Sequence, residues 1–155
     1  MHTISLDASV AMTGISRSTL WRRVTDGSIA TGEKDARGRA TLALTEVLAL
    51  AQLALGDADV ATLLRADAGE ADAQADVGAL CQVAGAYRAA LYWLGEAAAQ
   101  NHADAMQWLA TAYAAGADGT PAKDENLAVM WLARAAALGH AIAREQMQQL
   151  LAQRR

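Results

Sequence analysis

Ala97-Ala98-Ala99-Gln100-Asn101-His102-Ala103-Asp104-Ala105 and Ala135-Ala136-Ala137-Leu138-Gly139-His140-Ala141-Ile142-Ala143 carry one pattern twice, offset by 38 residues (97 to 135). Each copy is preceded at matching distance by a Trp-Leu pair, Trp93-Leu94 and Trp131-Leu132. A fixed period of that size is the signature of stacked helical units, each burying its apolar face against its neighbours. The reading of the chain beyond about residue 58 follows from this period, and the segment before it reads as a separate module.

Working outward from the second copy, Ala103, Ala105, Leu109, Ala112 and Tyr113 mark one helix. Leu127, Ala128, Trp131, Leu132, Ala135 and Ala136 mark its partner. Alanines let two helices approach closely, while Trp and Leu fill the groove between successive pairs. Gly116 to Asn126 is the connecting loop, with Gly119 and Pro121 as breakers and Asp124 as helix cap. The preceding unit repeats the pattern with Ala71, Ala73, Val77, Leu80 and Cys81, then Leu91, Trp93, Leu94, Ala97 and Ala98, around a shorter loop near Val83 to Tyr87. A third copy opens at Ala141 and ends after one helix, with Met147, Leu150 and Leu151 on its apolar face. Arg154 and Arg155 suit the negative end of that helix dipole. Leu63-Leu64-Arg65-Ala66 looks like a worn copy of Leu132-Ala133-Arg134-Ala135, so residues 58–69 are expected to be the second helix of an incomplete first unit, capping the array.

Composition agrees with a helical chain. Of 155 residues 54% are apolar but only 5% aromatic, with one Pro and no Phe, a bias that favours helix over a large sheet. A single cysteine, Cys81, cannot form an internal disulfide and suits a reducing compartment. Met1 to Leu6 lacks the basic start and apolar run of a signal peptide, and Leu42 to Gly56 is too short and too polar to span a bilayer. The expectation is a soluble cytoplasmic protein with no membrane partner. Net charge is -4, but residues 1–50 hold six basic against five acidic side chains, and residues 51–155 seven against twelve. Any nucleic-acid partner therefore belongs to the N-terminal module.

That module opens with polar capping residues before Leu6, Val10 and Ala11, and Thr13-Gly14 breaks the first helix. Ser16 caps a second helix from Arg17 to about Asp26, with Leu20 and Val24 inward and Arg17, Ser18, Arg22 and Arg23 outward. Two short helices joined by a Gly turn, the second basic, describe a helix-turn-helix. Asp35 to Gly38 is a turn whose flanks could pair as a hairpin, and a further helix, Leu44 to Leu55, follows.

The order helix-turn-helix, hairpin, helix resembles the excisionase-like and MerR-like winged DNA-binding domains over residues 4–52. Gly14 to Val24, Asp26-Gly27 and the Arg37-Gly38-Arg39 wing carry the likeness. It implies that Ser16, Arg17, Ser18, Thr19, Arg22 and Arg23 face the major groove, while Lys34, Arg37 and Arg39 touch backbone or minor groove. Arg can bond a guanine edge bidentately and Ser or Thr a phosphate. It also implies that Trp21 packs beneath the wing, with base contact as the other reading of that Trp. Ala43, where relatives often carry a polar cap, and the acidic Glu33 and Asp35 depart from the pattern. Over residues 58–152 the chain resembles the Sel-one-like repeats, relatives of the tetratricopeptide repeat. Ala103-x-Ala105, Leu109, Tyr113, Gly116, Asp124-x-x-Leu127-Ala128-x-x-Trp131-Leu132 and Ala135-Ala136-x-x-Gly139-His140-Ala141 carry that likeness, with Asn101 in place of Gly in the earlier unit. The implied role is a groove for a protein or peptide. Trp108, with Gln74, Met106, Arg144 and Gln148 as neighbours or equivalents, is the candidate anchor; packing against neighbouring elements is the other reading of that Trp.

Other chemistry finds no foothold. His102 and His140 are equivalent positions one unit apart, suited to a turn and not to a shared metal. There is no phosphate-binding Gly loop, no Cys pair and no Ser/His/Asp order. The expectation is a non-enzyme without cofactor or metal, mainly α: residues 1–56 a small winged helix-turn-helix with a two-stranded wing, residues 57–155 an α/α repeat solenoid. It would be a bacterial-type DNA-binding regulator with a protein partner, possible as a homodimer, or alternatively a protein-protein interaction adaptor whose winged helix does not bind nucleic acid.

Overall fold

The computed structural model describes residues 1–116 and 119–154. The protein is mainly helical with one small two-stranded antiparallel sheet, and it divides into two compact units, Met1–Ala68 and Gly69–Arg155.

The first unit begins with strand β1 (Thr3–Ser5), which runs directly into helix α1 (Leu6–Thr13). Ser5 caps α1 by accepting from the Ala8 N–H, and Gly14 ends it at φ 71°, a left-handed conformation costly for any residue with a Cβ. Helix α2 (Arg17–Thr25) follows, capped by Ser16, with Leu20 fully buried. Strand β2 (Thr41–Ala43) leads into helix α3 (Leu44–Ala51), and helix α4 (Asp57–Asp67) closes the unit. Ile4, Ala8, Leu20, Leu42, Val47, Leu63 and Ala66 make its buried core.

Three expectations change here. The hairpin flanking the Asp35–Gly38 turn is reduced to a single bridge, Thr31 to Leu42; β2 pairs instead with β1, in the register Thr3–Ala43, Ile4–Leu42, Ser5–Thr41. The N-terminal residues thus complete the sheet. Helix α3 stops at Ala51 and not Leu55, because Gln52 turns left-handed (φ 57°) and its N–H closes on the Ala49 and Leu48 carbonyls. Its unusual start at Ala43, without a side-chain cap, is offset by the Leu44 N–H donating to the His2 carbonyl at 2.9 Å. Finally, the boundary lies after α4, at Ala68/Gly69, and not at residue 56. The expected array cap over 58–69 belongs to the first unit, for a reason given below.

Among the described residues the second unit holds five helices of 13 residues each: α5 (Ala71–Val83), α6 (Tyr87–Ala99), α7 (Ala103–Ala115), α8 (Glu125–Ala137) and α9 (Ala141–Gln153). α5 packs on α6, α7 on α8, and α9 on α8. Ala89, Ala90, Ala97, Ala98, Ala105, Ala112 and Ala135 are buried, and Trp93 and Leu94 fill the space between helices. At Gly78 of α5 an added Cβ would stand 2.6 Å from the Leu94 Cγ, so this crossing requires a residue without one. The α5–α6 turn is the short one expected, with Gly85 at φ 80°, and Asn101 adopts φ 62° where the later copy has Gly139 at φ 92°. Asn tolerates that region better than other side chains, so both turns take the same form. Part of the Gly116–Asn126 loop (residues 117 and 118) and Arg155 lie outside the described residues.

Candidate functional site

Helix α2 carries three arginines and no acidic residue. Its register turns Leu20 inward and leaves Arg17, Ser18, Trp21 and Arg22 exposed. Ser16 and Thr19 are engaged in capping: the Ser16 hydroxyl accepts from the Thr19 N–H at 3.3 Å and lies 2.9 Å from the Thr19 hydroxyl. Arg17 pairs with Asp7 of α1, which neutralises part of its charge. Arg23 is half-buried. Beyond α2, Lys34 and Arg37 are exposed on the 33–38 loop, and among the described residues neither they nor Arg22 make a side-chain hydrogen bond or ion pair.

Two residues stand elsewhere than expected. Trp21 is 48% exposed and does not pack as core; with Leu6, Ser16, Arg17, Ser18 and Ala40 it lines an open recess of about 630 Å³ on the α2 face. Arg39 is committed internally and does not project from the wing. Its Nε donates to Asp35 at 2.8 Å, and one terminal nitrogen donates to the Asp67 carbonyl at 2.7 Å. Asp35 also accepts from the Arg37 and Arg39 N–H groups at 2.9 Å. Burial pushes its carboxyl up, but the bonds from Arg39 and Arg37 outweigh that and hold it below the usual range.

Sequence reasoning missed Asp67. At 9% exposure it is a buried carboxylate, accepting from the Ser5 N–H at 2.7 Å and the Ser5 hydroxyl at 2.6 Å, with an Arg39 nitrogen 3.4 Å away. One side chain at the end of α4 thereby joins β1, α4 and the segment entering β2. A buried carboxylate is tolerable only when its oxygens are satisfied in this way, and these bonds keep α4 in the first unit. Its partner Ser5 lies 62 residues away, so no local pattern signals it.

In the second unit, Gln74 and Met106 are buried, with Gln74 accepting from the Gln100 amide at 2.8 Å, so they are not open to a partner as expected. Trp108 is half-buried; Arg144 and Gln148 are exposed. A recess of this unit, about 680 Å³, lies elsewhere, between α7, α8 and α9, with Thr111, Ala114, Val129, Leu132, Gln146 and Gln149 among its walls. His102 and His140 act alike. Nδ1 of each accepts from a backbone N–H at 3.2 Å (Ala105, Ala143), and Nε2 bonds an aspartate of the preceding odd-numbered helix, Asp72 at 2.8 Å and Asp104 at 2.7 Å. Cys81 is fully buried, which pushes its thiol up to about 11. Among the described residues no three His, Cys, Asp or Glu groups gather as a metal site, and no helix is long and apolar enough to cross a membrane.

The chain matches no protein-family model, no curated protein and no solved structure.

Proposed function

We propose that the protein is a DNA-binding regulator, with α1, α2 and the 33–38 loop as a winged helix-turn-helix and α5–α9 as a short α/α repeat solenoid that receives a protein partner. The observation that carries this reading is the solvent face of α2, basic and without an acid, beside a loop presenting Lys34 and Arg37. Charged groups unspent within the fold favour contact with a polyanion. The roles expected of Arg17 and Arg39 pass to Arg22, Lys34 and Arg37, since the first two are paired with Asp7, Asp35 and Asp67. The partner site moves from Gln74 and Met106 to the α7–α8–α9 recess. A binding role, not a catalytic one, is supported by the thiol held protonated in the core and by both histidines serving as caps.

The adaptor reading, in which the winged module contacts protein alone, is favoured by those same internal ion pairs. Fluorescence anisotropy with the full chain and duplex DNA over a salt series separates the two. Binding that weakens steeply with salt, and an Arg22→Ala variant of unchanged helicity bound about tenfold more weakly, support DNA binding. No binding at roughly 50 mM salt, where phosphate contacts are strong, leaves the adaptor.

A further inference from the structure

We infer that Trp21 is a sequence-reading residue, and that its recess receives the 5-methyl group of a thymine. The inference rests on the DNA reading above and adds to it what the α2 face recognises. Trp21 is four residues after Arg17 and three after Ser18, so the helical period puts all three on one side. Leu6 of α1 and Ala40 before β2 extend that side into a recess with an apolar floor, edged by Ser16, Arg17 and Ser18. Nearly half of a tryptophan's surface is thus left in water beside the exposed Arg22 of the same helix. Arginines and serines alone would satisfy a phosphate backbone; an apolar indole adds nothing to that contact. The major groove of DNA offers one apolar group to such a surface, the thymine methyl, presented beside hydrogen-bonding edges that Arg can read. Arg22 beside Trp21, with Lys34 and Arg37 on the 33–38 loop, selects a polyanion as occupant, and the apolar centre selects the A·T-containing stretch of it.

Substitution of thymine by deoxyuridine removes only this methyl. Random duplexes retained by the full chain at about 50 mM salt are selected and resynthesised with deoxyuridine at each thymine in turn. For the wild-type chain one or two substitutions weaken binding about fourfold, the worth of burying one methyl. In Trp21→Ala, and independently in Trp21→Gln, that difference disappears while helicity and salt dependence persist. Equal affinity for thymine and deoxyuridine in the wild type, or a difference that survives both variants, overturns the role of Trp21 and leaves DNA binding standing. Failure to retain any duplex overturns both readings together.

Discussion

In the first unit one residue, Asp67, ties together β1, α4 and the segment entering β2, its carboxylate accepting from Ser5 and its backbone carbonyl from Arg39, partners far away in sequence. In the second unit, among the described residues, cohesion is spread over buried alanines, the Trp93–Leu94 pair and several separate polar links, His102 to Asp72, His140 to Asp104 and Gln100 to Gln74. A short unit with small strands has few apolar contacts to spare, so a satisfied polar cluster fixes its geometry. The five described helices of the second unit, of equal length, instead spread their packing over many small contacts. The difference teaches that the first unit is vulnerable at a point and the second by degrees.

The sharpest way to break this comparison is Asp67→Ala. It leaves the Ser5 N–H and hydroxyl without their carboxylate, while Arg39 keeps Asp35 and the backbone carbonyl of residue 67, a loss on the order of 3 kcal/mol. Hydrogen exchange should show the loss at β1, β2 and α4 amides. Equal loss of protection in α5 to α9 would refute the contrast. A smaller effect separates two glycines of the second unit. Gly78→Ala forces a Cβ within 2.6 Å of the Leu94 Cγ and 3.1 Å of its backbone N, and should cost about 2 kcal/mol despite the better helix propensity of Ala. Gly95→Ala meets nothing within 4 Å and should gain roughly 0.5–1 kcal/mol. Urea denaturation of both variants reads the two signs; a shared sign would show that propensity and not close approach governs these helices.

What the sequence disclosed follows the same division. The helices of the second unit, the cap at Asp124, the turn positions of His102 and His140 and the turn at Gly139 were legible because each depends on residues within a few positions, whereas the capping by the two histidine side chains was not read. Ser16, Gly14 and the Asp35 turn were legible for the same reason. The pairing of β2 with β1, the left turn at Gln52 and the attachment of α4 were not, since each is decided by distant partners or by a residue without strong preference. The candidate site divides likewise: the outward positions of Ser18 and Arg22 follow from helical period, whereas the capture of Arg39 depends on Asp67 and the exposure of Trp21 on how little covers α2.

The histidine caps give the finest test of the second unit. Nδ1 of His140 accepts from the Ala143 N–H, so it carries no proton there, and Nε2–H is left to donate to Asp104. Asp104 is 70% exposed and its counterpart Asp72 96%, which makes the outer bond worth little in water. The cap itself should hold most of the value. His140→Ala is expected to cost about 1 kcal/mol and to fray the first turn of α9. His140→Asn, whose short side chain can still accept from Ala143 but cannot reach as far, should recover most of that loss, and Asp104→Asn should change stability by a few tenths of a kcal/mol. If His140→Asn is as damaging as His140→Ala, the aspartate contact from α7 and not the local cap holds α9, and the second unit depends on reach across elements as much as the first.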